Sequence, residues 1–340
     1  MTIQTIRRDG FPSKVPQFVF LDSGGVINDN VSRAPQWLKY LGEFLPQTRL
    51  QGSSQLWIAA NTSVVKIFFR HWYDYMQEAT ELASKNEQNS EHSQETNVQT
   101  LFERIHMTAW MKLMCEHVTL QDPTWGQRLE KLALTDQELY DIAKAAHRFT
   151  IARVRAPFPG AVECLQNLHV ARGVDPLDKS SRYRLFTSSG DALEDLEVTL
   201  SGIGAKDYFE EVNGADTLNC LKNSGKFYQR LFAKVGIRPV RRLPSDLGDA
   251  LKEEDHQVSL DPAAKYGAQE ILVLDDSPKV LKWARSLGAW TVLVTSADEP
   301  LDLEAEGNRH IDFQIRGLAD LPALLDSIRD HPTTVSASTV

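Results

Sequence analysis

Three largely apolar runs end in residues that can do chemistry. Phe18-Val19-Phe20-Leu21 leads into Asp22-Ser23-Gly24-Gly25, Tyr183-Arg184-Leu185-Phe186 into Thr187-Ser188-Ser189-Gly190, and Ile271-Leu272-Val273-Leu274 into Asp275-Asp276-Ser277-Pro278. A lysine-bearing stretch, Lys222-Asn223-Ser224-Gly225-Lys226-Phe227-Tyr228, lies between the second and third. A carboxylate can attack an electrophile and hold it covalently, dividing one difficult displacement into two. A hydroxyl and an ammonium can position and neutralise a transferring phosphoryl group, a reaction that is mostly positioning and charge compensation. Carboxylates drawn together repel unless a cation lies between them, and Mg²⁺ accepts such oxygen donors.

For these residues to meet, the runs that carry them must lie side by side. An unbroken apolar run of this length reads as a fully buried strand, too short for a core helix. Open α/β sheets place their ligands beyond the carboxyl ends of such strands, where Asp22 stands. After Pro157, strands and helices alternate. Pro159-Gly160 opens a helix with Val162, Leu165 and Leu168 on one face, and Asp191 to Leu200 forms the next. Tyr208 to Val212 reads as a short extended piece, and Lys226 to Val235 as a helix stopped by Gly236. Ser277 and Pro278 suit the N-cap and first position of another helix, which ends at Gly288. Trp290–Val294 and Ile311–Ile315 read as strands and Asp320–Ile328 as the last helix. The expected fold is α/β: a Rossmann-like, doubly wound parallel sheet.

From Asn30 to about Arg155 the period becomes helical. Trp37, Leu38, Leu41 and Phe44 recur at helical spacing, as do Trp57, Val64, Phe68, Trp72 and Met76, and then Phe102, Ile105, Trp110 and Met111. Thr135-Asp136-Gln137-Glu138 is a capping box that opens a further helix. This all-helical block, of about four helices, is inserted directly after the first strand. The domain reading is therefore an α/β core from residues 15–29 and 156–330 with a helical insert from 30–155. Residues 84–100, polar and poor in apolar side chains, read as a disordered insertion loop. Residues 239–266 read as a surface insertion and 331–340 as a disordered tail.

The stretches resemble, in order, the four motifs of the haloacid dehalogenase (HAD) superfamily, over roughly residues 15 to 328. Asp22-Ser23-Gly24-Gly25-Val26 resembles the first motif, Asp-x-Asp-Gly-Val/Thr, with Gly24 in place of its second aspartate; Asp29 matches a further acid that often follows. Thr187 resembles the second-motif Ser/Thr, Lys222 the third-motif lysine, and Asp275-Asp276 the acidic fourth motif. The helical block is similar to the cap that many members insert after the first motif. The resemblance implies a Mg²⁺-dependent phosphatase acting on a small phosphorylated or diphosphate-bearing metabolite. Asp22 would be the nucleophile, assisted by Thr187 and Lys222. Asp22, the Gly24 backbone carbonyl and Asp276 would hold the metal. Ser188 competes with Thr187, Lys226 with Lys222, and Asp275 with Asp276.

Gly24 removes the side-chain acid/base that this resemblance would otherwise supply, a group typically worth about 10²–10⁴-fold. That leaves two alternatives open: a weak or inactive binding or regulatory protein on the same fold, or other HAD chemistry on phosphonates or haloacids. Phosphonate cleavage would need a Schiff-base lysine in the cap, where Lys66 and Lys112 occur without a motif around either. Asp29 reads as a turn residue, and His71, His106 and His147 as ordinary helix residues. The aromatic cluster of Phe68, Phe69, Trp72, Tyr73, Trp110 and Met114 reads as cap core, with a bulky apolar substrate pocket as the alternative.

Composition narrows the partners. Over 340 residues the chain carries a formal net charge of −9, with 42% hydrophobic and 24% charged residues. That is ordinary for a globular protein, and the charge argues against nucleic acid or an anionic membrane as partner. Cys115, Cys164 and Cys220 are odd in number and widely spaced, so neither a disulfide framework nor a zinc site follows. Without a secretory signal pattern or a membrane-spanning run, a cytoplasmic enzyme with a small-molecule substrate is expected.

Overall fold

A computed structural model describes residues 4–5, 15–88, 96–170, 183–238, 266–267, 270–295, 308 and 310–330. The sheet is built around Phe18–Leu21, all four residues fully buried. Counting from Gln4–Thr5 as β1, this strand is β2; the others are β3 (Arg184–Thr187), β6 (Ile271–Asp275), β7 (Trp290–Val294) and β8 (Phe313–Ile315). Their order is β1-β8-β7-β6-β2-β3, parallel except for β1, which pairs antiparallel with β8. The sheet is thus the expected parallel one, with β2 between β3 and β6; the edge pairing by Gln4–Thr5 has no signal in that polar dipeptide. β4 (Ile237–Arg238) and β5 (Tyr266–Gly267) pair with each other, so the ends of the 239–266 segment are tied together. Residues 239–265 and 331–340 lie outside the described residues.

Alternation along each strand divides the core in two. Val19, Leu21, Leu185, Leu272 and Leu274 face one side, where α7 (Ala161–Val170) and α12 (Leu321–Asp330) pack. Phe18, Phe20, Phe186, Ile271 and Val273 face the other, against α10 (Gly225–Lys234) and α11 (Pro278–Ser286). Helices on both faces make the sheet doubly wound, which accounts for strands that are apolar on both sides. The helix after β3 is α8 (Leu193–Gly202), followed by the single turn α9 (Ala215–Leu218).

Among the described residues the helical block contains six α-helices rather than about four: α1 (Asn30–Phe44), α2 (Ser54–Arg70), α3 (Trp72–Gln88), α4 (Val98–Gln121), α5 (Pro123–Leu132) and α6 (Asp136–Ile151). The break at His71 and the Asp122-Pro123 junction divide runs that look continuous in sequence. Residues 84–88 continue α3 and 98–100 begin α4, so helix occupies both ends of the segment expected to be a loop; 89–95 are outside the described residues. The capping box at Thr135 and Glu138 forms as expected. Phe68, Trp110 and Met114 are buried in the block's own core, whereas Phe69 and Tyr73 stand 58% and 55% exposed. The Trp110 indole donates to buried Asn61 at 2.8 Å.

The chain passes between block and core at one paired crossing. Asp29 N–H donates to the Ala156 carbonyl at 2.7 Å and Phe158 N–H to Ile27 at 2.9 Å, so the outgoing and returning strands of chain lie side by side. The Gln36 side chain adds a reciprocal pair with Arg155: its amide donates to the Arg155 carbonyl and its oxygen accepts from the Arg155 N–H, both at 2.9 Å. Asp29 caps α1, accepting from Val31 N–H at 2.9 Å and from the Ser32 hydroxyl, and these bonds hold its carboxyl below its ordinary range.

Candidate active site

Parallel register brings the strand tips together. β2 pairs Leu21 with Leu274 of β6 and with Thr187 of β3, so the next residues, Asp22, Asp275 and Ser188, stand level at the sheet edge. Asp22 N–H still bonds the Leu274 carbonyl at 3.1 Å, holding the aspartate in the sheet frame. Lys222 arrives from the loop after α9, and its ammonium sits between two carboxylates: 3.0 Å from Asp22 Oδ1 and 2.6 Å from Asp275 Oδ2. The Lys222 and Asp22 side chains are only 8% and 15% exposed. Lys226, the competing lysine, lies exposed on the first turn of α10.

Asp275 is fully engaged, since its Oδ1 also accepts from the Ser277 N–H at 2.9 Å. It therefore anchors the lysine. Asp276 keeps its carboxylate available, and oxygens of Asp22, Asp275 and Asp276 all lie within 4.8 Å of one another. One ammonium cannot neutralise three carboxylates. Burial raises Asp22 to about 7, Lys222 opposes that rise, and Asp275 adds to it. Burial and the Asp22 charge raise Asp276 as well. Lys222 is held charged: burial works against its proton, but Asp22 and Asp275 outweigh it.

The turn after Asp22 is shaped around Asp276. Gly25 has φ +74°, and a Cβ there would fall 1.9 Å from Asp276 Oδ2. Only glycine allows this approach. Gly24 is different: its φ is not left-handed, and a Cβ would meet only Asn30 Oδ1 and Nδ2, at 3.5 and 3.7 Å. The turn closes by Asn28 N–H to Ser23 carbonyl at 2.9 Å and Gly25 N–H to Asn28 carbonyl at 2.8 Å. The Gly24 carbonyl accepts no hydrogen bond among the described residues. A free carbonyl, one Asp22 oxygen and the Asp276 carboxylate form an oxygen donor set with excess negative charge, which fits Mg²⁺.

Thr187 is placed away from this cluster. Its hydroxyl donates to the Asn213 carbonyl at 2.9 Å and accepts from the Asn213 N–H at 2.6 Å, on the face opposite Phe186. Ser188, one residue later, holds the tip position beside Asp22; its own N–H donates to Leu21 at 2.9 Å. The buried Ser188 and Tyr228 hydroxyls lie near one another but make no well-formed hydrogen bond. Tyr228 also interacts electrostatically with Lys222, so this hydroxyl pair lies beside the lysine, inside the buried wall of the site. Tyr228, six residues after Lys222, closes the lysine-bearing stretch of the sequence.

The helical block also contacts the core away from that crossing. His147 of α6 bonds Asp195 of α8 at 2.9 Å, and Arg148 pairs with Glu194. The Lys279 ammonium of α11 sits 4.2 Å from the ring centroid of Tyr73 on α3. Of the histidines read as ordinary helix residues, His147 thus joins the block to the core.

A family model described as haloacid dehalogenase-like hydrolase matches residues 19–242. Among solved structures, the candidate HAD-hydrolase YfnB of Bacillus subtilis, bound to magnesium, is 13% identical with TM-score 0.47, covering 92% of this chain and 100% of that one. The L-2-haloacid dehalogenase of Xanthobacter autotrophicus is 14% identical with TM-score 0.46, covering 92% and 98%. The defluorinating L-2-haloacid dehalogenase Rha0230 is 15% identical with TM-score 0.49, covering 95% and 100%. No functionally curated protein matched the chain. Among the described residues, no helix is long and apolar enough to cross a membrane.

Proposed function

The chain belongs to the haloacid dehalogenase-like hydrolases, and from that premise we propose that it is a Mg²⁺-dependent phosphatase of small phosphorylated metabolites. The observation that carries the proposal is the charge imbalance at the strand tips: Asp22, Asp275 and Asp276 share one lysine. A divalent cation held by Asp22, the Gly24 carbonyl and Asp276 would balance that charge and neutralise phosphoryl oxygens.

In this reading an Asp22 oxygen attacks phosphorus, the bond from phosphorus to the leaving oxygen breaks, and an aspartyl-phosphate forms on Asp22. Lys222 and the Ser188 hydroxyl orient the phosphoryl oxygens; Ser188 takes the role the sequence assigned to Thr187. Water then attacks phosphorus, freeing phosphate and the Asp22 carboxylate. With Gly24 in place of an acid, the leaving oxygen draws its proton from solvent or from the substrate. Substrates with good leaving groups are favoured for that reason.

A second reading has its own support in Gly24. Departing halide needs no proton, so hydrolysis of a haloacid at Asp22 would not miss the acid. One panel separates the two: phosphorylated metabolites and p-nitrophenyl phosphate with Mg²⁺ and with EDTA, beside 2-chloropropionate. Mg²⁺-dependent phosphate release that Asp22→Asn abolishes is the expected result. Halide release indifferent to EDTA would overturn the phosphatase reading.

A further inference from the structure

The loop carrying Lys222 is held by the helical cap as well as by the core. Leu221, 3% exposed, is the one core-domain residue in a cluster otherwise made by α3 and α4: Met76, Ala79, Ala83, Val98, Leu101 and Phe102. Beside it, two asparagines reach across in opposite directions. The Asn97 amide donates to the Asp216 carbonyl at 3.0 Å, and Asn219 Oδ1 accepts from the Val98 N–H at 2.9 Å. Asn97 caps the next two amides, Gln99 and Thr100, each at 3.1 Å. The cap's longest helix therefore starts with part of its capping supplied by the core, a function otherwise met within the same segment. Asn219 has φ +45°, a left-handed conformation that asparagine tolerates better than most residues. Its backbone carbonyl and that of Leu218 accept from Arg230 of α10. Three residues after Asn219 comes Lys222, packed against Gly190 of the strand-tip loop, where a Cβ would lie 3.4 Å from Lys222 Cβ.

We propose that Asn219 and Leu221 are positioning residues that couple closure of the cap to placement of Lys222 between Asp22 and Asp275. When α3 and α4 seat on Leu221, the 219–222 segment is fixed from the cap side, and the ammonium has one place to go. When they lift, Val98 loses its acceptor, Leu221 loses its socket, and the lysine loop is held by the core alone. The inference needs only the observed Lys222 contacts and stands whether the substrate is a phosphate or a haloacid.

The test uses the full chain and needs no substrate. Wild type, Asn219→Gly, Leu221→Ala, Leu221→Met and Arg148→Ala are compared by hydrogen exchange and by competitive acetylation of lysines, read by mass spectrometry. Asn219→Gly keeps the left-handed turn and deletes only the cross-domain acceptor, so it tests the idea even if Leu221→Ala fails to fold. Expected in Asn219→Gly and Leu221→Ala are faster exchange at 98–102 and Lys222 acetylation raised about tenfold, the factor for 1.4 kcal/mol of lost local protection. Leu221→Met should restore protection, and Arg148→Ala, at the α6–α8 seam, should leave Lys222 unchanged. Faster exchange at 98–102 with Lys222 labelling as in wild type would overturn the coupling, because the cap would then open without releasing the lysine.

Discussion

Replacing Gly24 by aspartate is the sharpest test of how this site works. Backbone at Gly24 does not require glycine, and the added Cβ would lie 3.5 Å from Asn30 Oδ1 and 3.7 Å from its Nδ2. Those are ordinary contacts, so Gly24→Asp should fold. Loss of chain freedom in the unfolded state favours the variant by about 0.4–1 kcal/mol. A fourth carboxylate beside Asp22, Asp275 and Asp276 works against it, so the melting temperature should move little in EDTA and rise when Mg²⁺ is added. A well-placed general acid/base is worth about 10²–10⁴-fold. Because the side chain enters a turn not evolved to hold it, a gain of about 10–10³-fold is expected. The gain should depend on the leaving group: small for p-nitrophenyl phosphate, whose phenolate leaves unaided, and large for a sugar phosphate. Steady-state kinetics on both substrates, with a melting curve and Mg²⁺ titration, measure it. A folded, Mg²⁺-binding Gly24→Asp protein with no gain on either substrate would refute the reasoning that only the acid is missing.

Three further outcomes are expected. Asp276→Asn should lower Mg²⁺ affinity by calorimetric titration without unfolding the protein; equal affinity would remove Asp276 from the metal site. Gly25→Ala puts a Cβ 1.9 Å from Asp276 Oδ2 and forces alanine into φ +74°. A stability loss of at least about 1–2 kcal/mol from the left-handed backbone is expected in denaturant titration, together with weakened Mg²⁺ binding. His106 is held down at about 4, chiefly by burial, with the Phe102 carbonyl only partly compensating. Between that value and its ordinary 6.5 the unfolded chain binds a proton that the native chain refuses, so the contribution of His106 to stability rises with pH across this window, while Asp22, raised to about 7, contributes in the opposite sense. The rise is on the order of 2–3 kcal/mol by the linkage relation. Asp22 titrates alike in both proteins, so the stability of wild type relative to His106→Gln should increase from pH 4 to 7 in paired melting curves.

Part of this protein is written in local sequence. Phe18–Leu21 and Ile271–Leu274 are apolar throughout because strands covered by helices on both faces leave no position for a polar side chain, and those runs together with the alternation of strands and helices after Pro157 implied the doubly wound sheet. Asp22 follows from its place after such a strand, and the helical insert from the change of period between Asn30 and Arg155. Family resemblance picked out Lys222 and Asp276, and the structure places both at the cluster.

What only the tertiary structure decided are choices between neighbours. Thr187 and Ser188 are both hydroxyls at the end of one run; pairing Leu21 with Thr187 is what makes Ser188 level with Asp22, and register is a property of two strands. Asp275 became the lysine's anchor and Asp276 the open acid because one side chain points into the buried lysine and the next toward the turn. The glycine that the turn requires is Gly25, since the demand comes from Asp276, 251 residues away. Asn219 and Leu221 carry no motif at all. Their roles arise from contacts between two parts of the chain that are distant in sequence, and side-chain type along a single segment does not record which distant segment will be packed against it.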